Sequence, residues 1–367
     1  MKLLDASAQV KLFALMFLFI EGSTILLNIA PSAGRSSWLS IIIASCMGIL
    51  LIFGFFCLVR NQENTDYYGL ILESFGRYAG GAVLYVYVLY FLYLGSRDVR
   101  DMTELISNAI LVDTPTPVLA AAFGTLVVYA LFLGLHALIR IAPFYFGLFT
   151  FVFILITALV FINQEYNLKE LLPVFENGVM PVVEPSYTQL LFFPFGEALA
   201  VLVAAAPWIK SSYRAVRRAS LWAVAAGGCF LAIGCALQVA TLGVAIKNRS
   251  PFPMLGTFRN ISVGMFIERV EVLFVFIMLI TLTVKVAVFL YAAIKGIEVL
   301  TGYSLREMAV PLGILLCIQS IFIAKNTTDH FHRAIEIVPY YALIMEIMVP
   351  ASLFLIVFLR KRKGRLV

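Results

Sequence analysis

The chain has 367 residues, of which 62% are hydrophobic and 13% are charged. Soluble domains are roughly half apolar and a quarter charged, so this composition excludes an ordinary soluble protein. The net charge of +6 could suit a nucleic-acid-binding protein, but Lys and Arg collect in alternate loops between apolar segments, which indicates a membrane protein with no nucleic-acid partner.

Long apolar segments recur along the whole chain. A transmembrane helix needs about 20 such residues, whereas the strands of a membrane barrel are shorter and alternate in polarity. The unbroken run from Phe144 to Ile162 excludes the barrel. We therefore expect an all-α polytopic membrane protein with about ten transmembrane helices, at about 8–30, 37–59, 80–106, 116–136, 141–162, 186–207, 215–246, 264–293, 308–324 and 337–359.

The first span is interrupted by Glu21, Gly22 and Ser23. From a helix start near Ser7, a rise of ~1.5 Å per residue places Glu21 ~20 Å into a core ~30 Å thick. An ionised carboxylate at that depth costs several kcal/mol, so protein, ligand or trapped water must solvate it. Glycine tolerates the dihedral angles of an unwound segment.

The third span carries Tyr87, Tyr90 and Tyr93 at spacings of three, which places them on one helix face. Such a stripe serves either as packing or as one wall of a binding site. We include Tyr90 among the candidate ligand-binding residues.

The sixth span is interrupted in the same way as the first, by the run Phe193, Pro194, Phe195, Gly196 and Glu197. Proline removes a backbone donor and clashes with the preceding turn, and the freed backbone groups must then find partners in a cavity. Interrupted spans at corresponding positions of two halves are the best sequence indication of a midplane ligand site.

The segment at about 163–187 divides one transmembrane domain, residues 1–367, into two groups of five helices. An odd number of spans makes the halves opposite in orientation, so we expect an inverted repeat of about 7–162 and 186–359 with broken helices 1 and 6 at its centre. Helix N-termini at the breaks would present N–H groups around Gly22 and Ser23 to anionic ligand atoms. Glu197 would accept a hydrogen bond from an amine or hydroxyl of the ligand, and Phe193 or Phe195 would cover the apolar part of the ligand.

The loop charges predict that both termini are cytoplasmic. The longest loop, residues 163–186, carries four glutamates against one lysine, and the basic cluster at 360–363 would contact anionic lipid. Among charges inside spans, Lys285 can pair with a carboxylate, take the place of a coupling cation or extend to the cytoplasmic surface. Arg269 and Glu271 lie near a span end, and Glu346 lies inside the last span.

Signatures of enzymes and cofactors are weak in this chain. The five cysteines lie inside spans without close pairing, and no nucleotide loop or nucleophile triad is present. His330 and His332 could bind a metal, but no further ligand accompanies them in a tight pattern. We expect no enzymatic activity, catalytic residue, metal or cofactor.

Several segments together resemble the spore germination permeases, the GerAB-type B subunits of nutrient germinant receptors. The similarity covers nearly the whole chain, and its specificity comes from the order and spacing of the segments. These are Arg35 to Ser40, Phe75 to Gly81, Thr114 to Pro117, Phe195 to Glu197, Asn248 to Pro253, Arg259 to Ile261 and Phe266 to Arg269.

The resemblance implies a member of the amino acid/polyamine/organocation superfamily with a leucine-transporter-like fold of two five-helix inverted repeats. It also implies a germinant sensor in the spore inner membrane or the cell membrane, acting with an A subunit and a lipoprotein C subunit. Amino acids, sugars or nucleosides are the implied ligands. The alternative hypothesis is a proton-coupled amino acid transporter of the same superfamily, in which Glu21, Glu197 or Lys285 changes protonation.

Overall fold

A computed structural model describes the chain over residues 6–60, 66–164, 166–192, 194–259 and 271–363, with backbone alone for Ala6, Ser7, Trp208, Lys210, Ser211 and 361–363. Over these ranges the protein is all-α, as predicted. Eight helical segments in them are long and apolar enough to cross a membrane, and a shorter apolar helix spans Thr116–Phe132. The count of ten spans and the inverted repeat stay predictions.

Five main helices form the first half of the chain: α1 (Ala6–Glu21), α2 (Ser37–Val59), α3 (Tyr67–Ala109), α4 (Thr116–Phe132) and α5 (Leu135–Ile162). Helix α3 has 43 residues, or about 65 Å at 1.5 Å per residue, which exceeds the thickness of a membrane. It bends at Gly76, where φ is +81°. The predicted third span at 80–106 is the part of α3 that follows this bend.

The second half contains α6 (Met180–Leu191), α7 (Leu199–Ala204), α8 (Ala206–Arg249), α9 (Pro253–Arg259), α10 (Glu271–Thr301), α11 (Leu305–Phe322), α12 (Thr327–Glu336), α13 (Val338–Ala342) and α14 (Val349–Lys363). A π-helical segment, Leu343–Met348, joins α13 to α14. Arg269 and the first residues of the predicted eighth span lie outside the described residues.

Both predicted helix interruptions are present. Helix α1 ends at Glu21, and the chain turns at Gly22, where φ is +21°, before one 3₁₀ turn over Thr24–Leu26. Helix α6 ends at Leu191, and α7 begins only at Leu199. Within this second gap the N–H of Gly196 donates to the carbonyl of Leu190 at 2.8 Å, which satisfies one backbone acceptor freed by the break.

The broken helix α1 and the continuous helix α10 form the centre of the protein. In their apolar stretches 78% and 67% of residues are buried, more than in the other membrane-crossing segments of the described ranges. Helix α10 packs along α3, and α1 contacts α5, α8 and α10. Since α7 also packs against α10, both helix interruptions lie beside this helix.

The connections between helices gather on two opposite faces. On one face Arg35 Nε lies 3.0 Å from Glu176 Oε2, which ties the Pro31–Ser36 turn to the long loop after α5. A cavity of about 570 Å³ opens there between Asn28, Asn248 and α12. On the other face a cavity of about 500 Å³ is lined by the start of α3 and the end of α10. We refer to the first as the outer cavity, because the loop charges predict that this face is external.

Candidate functional site

The two helix interruptions meet at Lys285 of α10. Its Nζ lies 2.8 Å from Glu197 Oε2 and 3.7 Å from Asp98 Oδ1, and its side chain has no exposed area. Nζ also faces the rings of Phe19 and Phe289, at 5.7 and 5.9 Å from their centroids. Of the alternatives for Lys285, the structure therefore shows pairing with carboxylates rather than extension to the surface.

The turn after α1 completes one side of this ionic cluster. Ser23 Oγ donates to Asp98 Oδ1 at 2.8 Å, and Thr281 Oγ1 donates to the carbonyl of Gly22 at 3.4 Å. A Cβ atom on Gly22 would overlap the side chain of Lys285. Glycine at this position therefore lets the lysine stem pass directly against the backbone turn.

Two details of the first interruption differ from the sequence-based expectations. The N–H of Gly22 donates to Leu18 O at 3.0 Å, so it is already used within the helix. The carboxyl of Glu21 lies beside α8, with Oε1 3.6 Å from the position that a Cβ on Gly227 would take. Neither of its oxygens has a hydrogen-bond partner in the described part of the chain. Glu21 therefore does not join Glu197 in the ion pair with Lys285.

The second interruption is bordered by Glu346, which the π-helical segment carries. Tyr90 donates its hydroxyl proton to Glu346 Oε1 at 2.7 Å, and Tyr87 donates to the carbonyl of Met345. A Cβ atom on Gly196 would overlap Glu346 Oε2, so the carboxyl lies directly against the unwound backbone. π-Helical turns insert one extra residue and occur often at functional sites. Tyr90 thus belongs to the polar site and not only to an aromatic packing stripe.

The two phenylalanines of the second interruption have different outcomes. Phe195 is buried and packs against α2 and α8, with its Cγ 2.6 Å from the Cβ position of Gly48 and its Cζ 3.6 Å from that of Gly228. This position fills the contact between two helices. Phe193 lies outside the described residues, so the structure does not place it.

The sequence analysis did not single out a charged stretch of α3 that the structure places at the site. It comprises Arg97, Asp98, Arg100, Asp101 and Glu104, all less than one-tenth exposed. Five charges at spacings of three and four inside a predicted span are the signal that could have identified it.

Part of this stretch connects α3 to α12. His330 Nε2 lies 2.7 Å from Asp101 Oδ1, and Thr327 Oγ1 donates to Glu104 Oε2 at 2.6 Å. His332 instead lies 3.0 Å from Glu336 on its own helix. The two histidines considered as a metal pair therefore contact different carboxylates.

The central cluster contains more carboxyl groups than cations. The cluster holds three carboxyl groups, those of Asp98, Glu197 and Glu346. Among the described residues, only Lys285 brings a cation within 4 Å of any of them. Buried carboxylates without compensating charge are costly, so such a site favours a proton or the cationic group of a ligand.

Comparison with known proteins finds relatives over most of the chain. The sequence model of the spore germination protein family matches residues 8–329. Spore germination protein KB of Bacillus subtilis is 27% identical over 96% of this chain and 95% of its own length. Spore germination protein A2 of the same organism is 22% identical over 89% of this chain and 87% of its own length. Spore germination protein XB of Bacillus anthracis is 23% identical over 86% and 88%.

A solved transporter has a similar fold. Mhp1, a nucleobase-cation-symport-1 family transporter in a closed conformation with bromovinylhydantoin bound, superposes with a TM-score of 0.68 over 92% of this chain and 74% of its own length. The sequence identity is 15%, so the likeness concerns the fold. It confirms the expected all-α fold.

Proposed function

The chain belongs to the spore germination protein family, and we propose that it is the membrane subunit of a spore nutrient germinant receptor. In this proposal it binds a small, amino acid-like nutrient near the membrane midplane and thereby triggers germination. It is an integral membrane protein, and the family and fold that it matches are those of permeases and transporters rather than enzymes.

The observation that carries the proposal is the buried ionic cluster at the two helix interruptions. Lys285 there contacts both Glu197 and Asp98, and the two interruptions bring Gly22 against Lys285 and Gly196 against Glu346. Glu197 would accept a hydrogen bond from an amine of the ligand. Tyr90 and Glu346, which are hydrogen-bonded to each other, would lie next to this amine. The proposed ligand-binding residues include all those predicted from the sequence, namely Glu21, Gly22, Ser23, Tyr90, Phe193, Phe195, Gly196 and Glu197. Asp98 and Glu346 join them.

The proposed ligand acts by changing the conformation of an assembly. A ligand shifts a conformational equilibrium only through different affinities for the two states, and the pairing of Lys285 in this closed site is one interaction that a ligand could exchange. The proposed partners are the A subunit and the lipoprotein C subunit of the receptor, in the spore inner membrane with both chain termini in the cytoplasm.

A proton-coupled amino acid transporter is the second candidate. The excess of carboxyl groups over cations favours it, because Glu197 or Asp98 could exchange a proton when Lys285 changes partner. Sensor and carrier share this architecture, so the two candidates differ in whether the conformational cycle moves the ligand across the membrane.

The test of ligand binding is a thermal unfolding screen of the purified protein with amino acids, sugars and nucleosides. A ligand that binds only the folded state raises the apparent stability by RT ln(1 + [L]/Kd). We expect a saturable rise with at least one amino acid. A set of nutrients that leaves the unfolding midpoint unchanged at millimolar concentrations would contradict the proposal.

Replacing Glu197 by glutamine tests the role of the central carboxylate. The amide keeps the shape but loses the charge-assisted bond, which is worth about 1.5–3 kcal/mol, so we expect a ten- to hundredfold loss of ligand affinity. Glu298→Gln is the matched control, because Glu298 pairs with Lys295 near the surface end of α10, the helix that carries Lys285. A normal titration of folded Glu197→Gln protein would assign Glu197 a purely structural role.

A further inference from the structure

Arg97 of α3 is a buried cation whose donors are mostly unused. Only 3% of the surface of Arg97 is exposed. Its guanidinium carbon lies 5.3 Å from the ring centroid of Phe192 and 5.9 Å from that of Tyr93. Nη2 donates to the carbonyl of His330 at 3.0 Å. Nε and Nη1 have no acceptor among the described residues.

The neighbouring charges of α3 are paired, which makes Arg97 the exception. Arg100 contacts Glu104 through two nitrogens at 2.6 and 2.7 Å, and Asp101 contacts His330. Asp98 accepts from Ser23 and lies near Lys285. A buried guanidinium without an anion is costly, since its water has been removed and no counter-charge replaces it.

The geometry points to Arg97 as the binding residue for a carboxylate of the nutrient, an inference that rests on the proposed function. A guanidinium presents a planar fork that matches the two oxygens of a carboxylate, and the rings of Phe192 and Tyr93 keep water from the fork. Phe192 is the first residue of the interruption that contains Gly196 and Glu197. Arg97 therefore adjoins the same gap as the proposed amine acceptor.

Arg97 and Asp98 are successive on a helix, so their side chains leave it in directions about 100° apart. One side of α3 thus offers an unpaired cation, and the next offers the carboxylates that surround Lys285. This separation of charge suits a zwitterion, with its ammonium at the carboxylates and its carboxylate at Arg97. An uncharged sugar or nucleoside would leave Arg97 without its anion.

Helix α12 lies between the outer cavity and Arg97. Thr327, Phe331 and His332 of this helix line the cavity, while the carbonyl of His330 accepts from Arg97. A carboxylate that arrives when α12 moves would replace this carbonyl as the acceptor. This exchange would replace the hydrogen bond from Arg97 to a neutral carbonyl by one to a charged carboxylate.

The test compares titrations of purified wild-type protein, Arg97→Gln and Arg97→Lys by thermal unfolding, with a mixture of the twenty common L-amino acids as the probe. We expect Arg97→Gln to need about ten- to a hundredfold more amino acid for the same shift, because a charge-assisted bidentate contact is lost. Arg97→Lys keeps the charge without the fork and should fall between. Arg259→Gln is the control, since Arg259 also donates to a backbone carbonyl, that of Asn108, on the exposed outer face.

A second measurement separates binding from support of the fold. Without ligand, Arg97→Gln should unfold no earlier than the wild type, because the cation removed has no anion to lose, whereas Arg100→Gln should unfold earlier. Early unfolding of unliganded Arg97→Gln and Arg97→Lys, or equal amino acid titrations of wild type and Arg97→Gln, would overturn the inference about Arg97. The proposed function would survive the second of these results.

The remaining outcomes distinguish the inference from the proposed function. A wild-type shift with D-glucose or inosine and none with amino acids would overturn the carboxylate role of Arg97 while the receptor function stands. If amino acids, sugars and nucleosides all fail, the proposed function fails, and sodium acetate becomes the probe. Stabilisation by acetate that Arg97→Gln abolishes would retain the anion site, and no acetate effect would overturn it.

Discussion

At the scale of single residues, the site depends on one lysine that serves two carboxylates. Lys285 is fully buried, and its charge is tolerable only because Glu197 and Asp98 lie within 4 Å. Its two carboxylate partners come from the second helix interruption and from α3, and the turn after α1 holds Asp98 through Ser23. The ion pair therefore depends on how these elements are packed together.

Replacing Lys285 by alanine should lower the free energy of unfolding by about 3–5 kcal/mol, because the substitution leaves buried carboxylates without their cation. Lys295→Ala is the control on the same helix. Lys295 pairs with Glu298 at 2.6 Å in a partly exposed position, so its loss should cost less than about 1 kcal/mol. Unfolding of both variants in detergent by heat or denaturant checks the difference. Equal effects of the two substitutions would contradict a structural role for the buried pair.

At the scale of helices and turns, the interruptions themselves could be predicted from the sequence. Gly22 beside Glu21, and Pro194 with Gly196, carry local signals that act through backbone dihedrals and missing donors, and the structure confirms breaks at both places. These signals need no knowledge of the neighbouring helices. The same holds for the all-α fold, which follows from apolar segments of sufficient length.

The contacts around the breaks could not be predicted in this way. Whether Glu21 faces α8 or the central cluster depends on the rotation of α1 about its axis, which tertiary packing sets. Phe195 similarly packs between α2 and α8. Glu346 approaches Gly196 through a π-helical turn whose extra residue shifts the face of the helix, and no local pattern had indicated it.

Gly196→Ala tests the close contact at the second interruption. The added methyl group would overlap the carboxyl of Glu346 and approach the carbonyl of Leu190 at 3.0 Å, so we expect a destabilisation of about 1–3 kcal/mol and a weaker ligand response. Gly147→Ala is the control, because a Cβ there meets no atom within 4 Å and alanine favours a helix. The comparison uses thermal unfolding with and without ligand. If Gly196→Ala matched Gly147→Ala, the tight approach of Glu346 would be wrong.

At the scale of the whole molecule, the acidic loop at 163–186, which its charges assign to the outside, lies on the same face as two other connections. The Pro31–Ser36 turn, the loop after α5 and the start of α12 lie near the outer cavity. The cavity on the opposite face is lined by Asp66 and Lys295. The grouping of connections on two faces is what a helix bundle that crosses a membrane should show. Labelling can determine which of the two faces is external.

Cysteines introduced at Asn177 and at Lys363, in a variant without the five native cysteines, should label from opposite sides of the membrane. We expect Asn177 to react from outside and Lys363 only after the membrane is permeabilised, because Lys and Arg favour the cytoplasmic side. An impermeant maleimide on sealed cells provides the measurement. Reaction of both positions from one side would contradict the five spans expected between them and with these the inverted repeat.

The last prediction separates a receptor subunit from a carrier. A proton-coupled transporter reconstituted alone should accumulate amino acid under an inward proton gradient, and Glu197→Gln should retain exchange but lose accumulation. A receptor subunit should bind ligand with little net flux, because its conformational change acts on partner subunits through differential affinity. We expect binding without accumulation. Uptake of radiolabelled amino acid into proteoliposomes, with the gradient collapsed by an ionophore as the control, provides the measurement, and gradient-driven accumulation by the purified chain would establish the carrier instead.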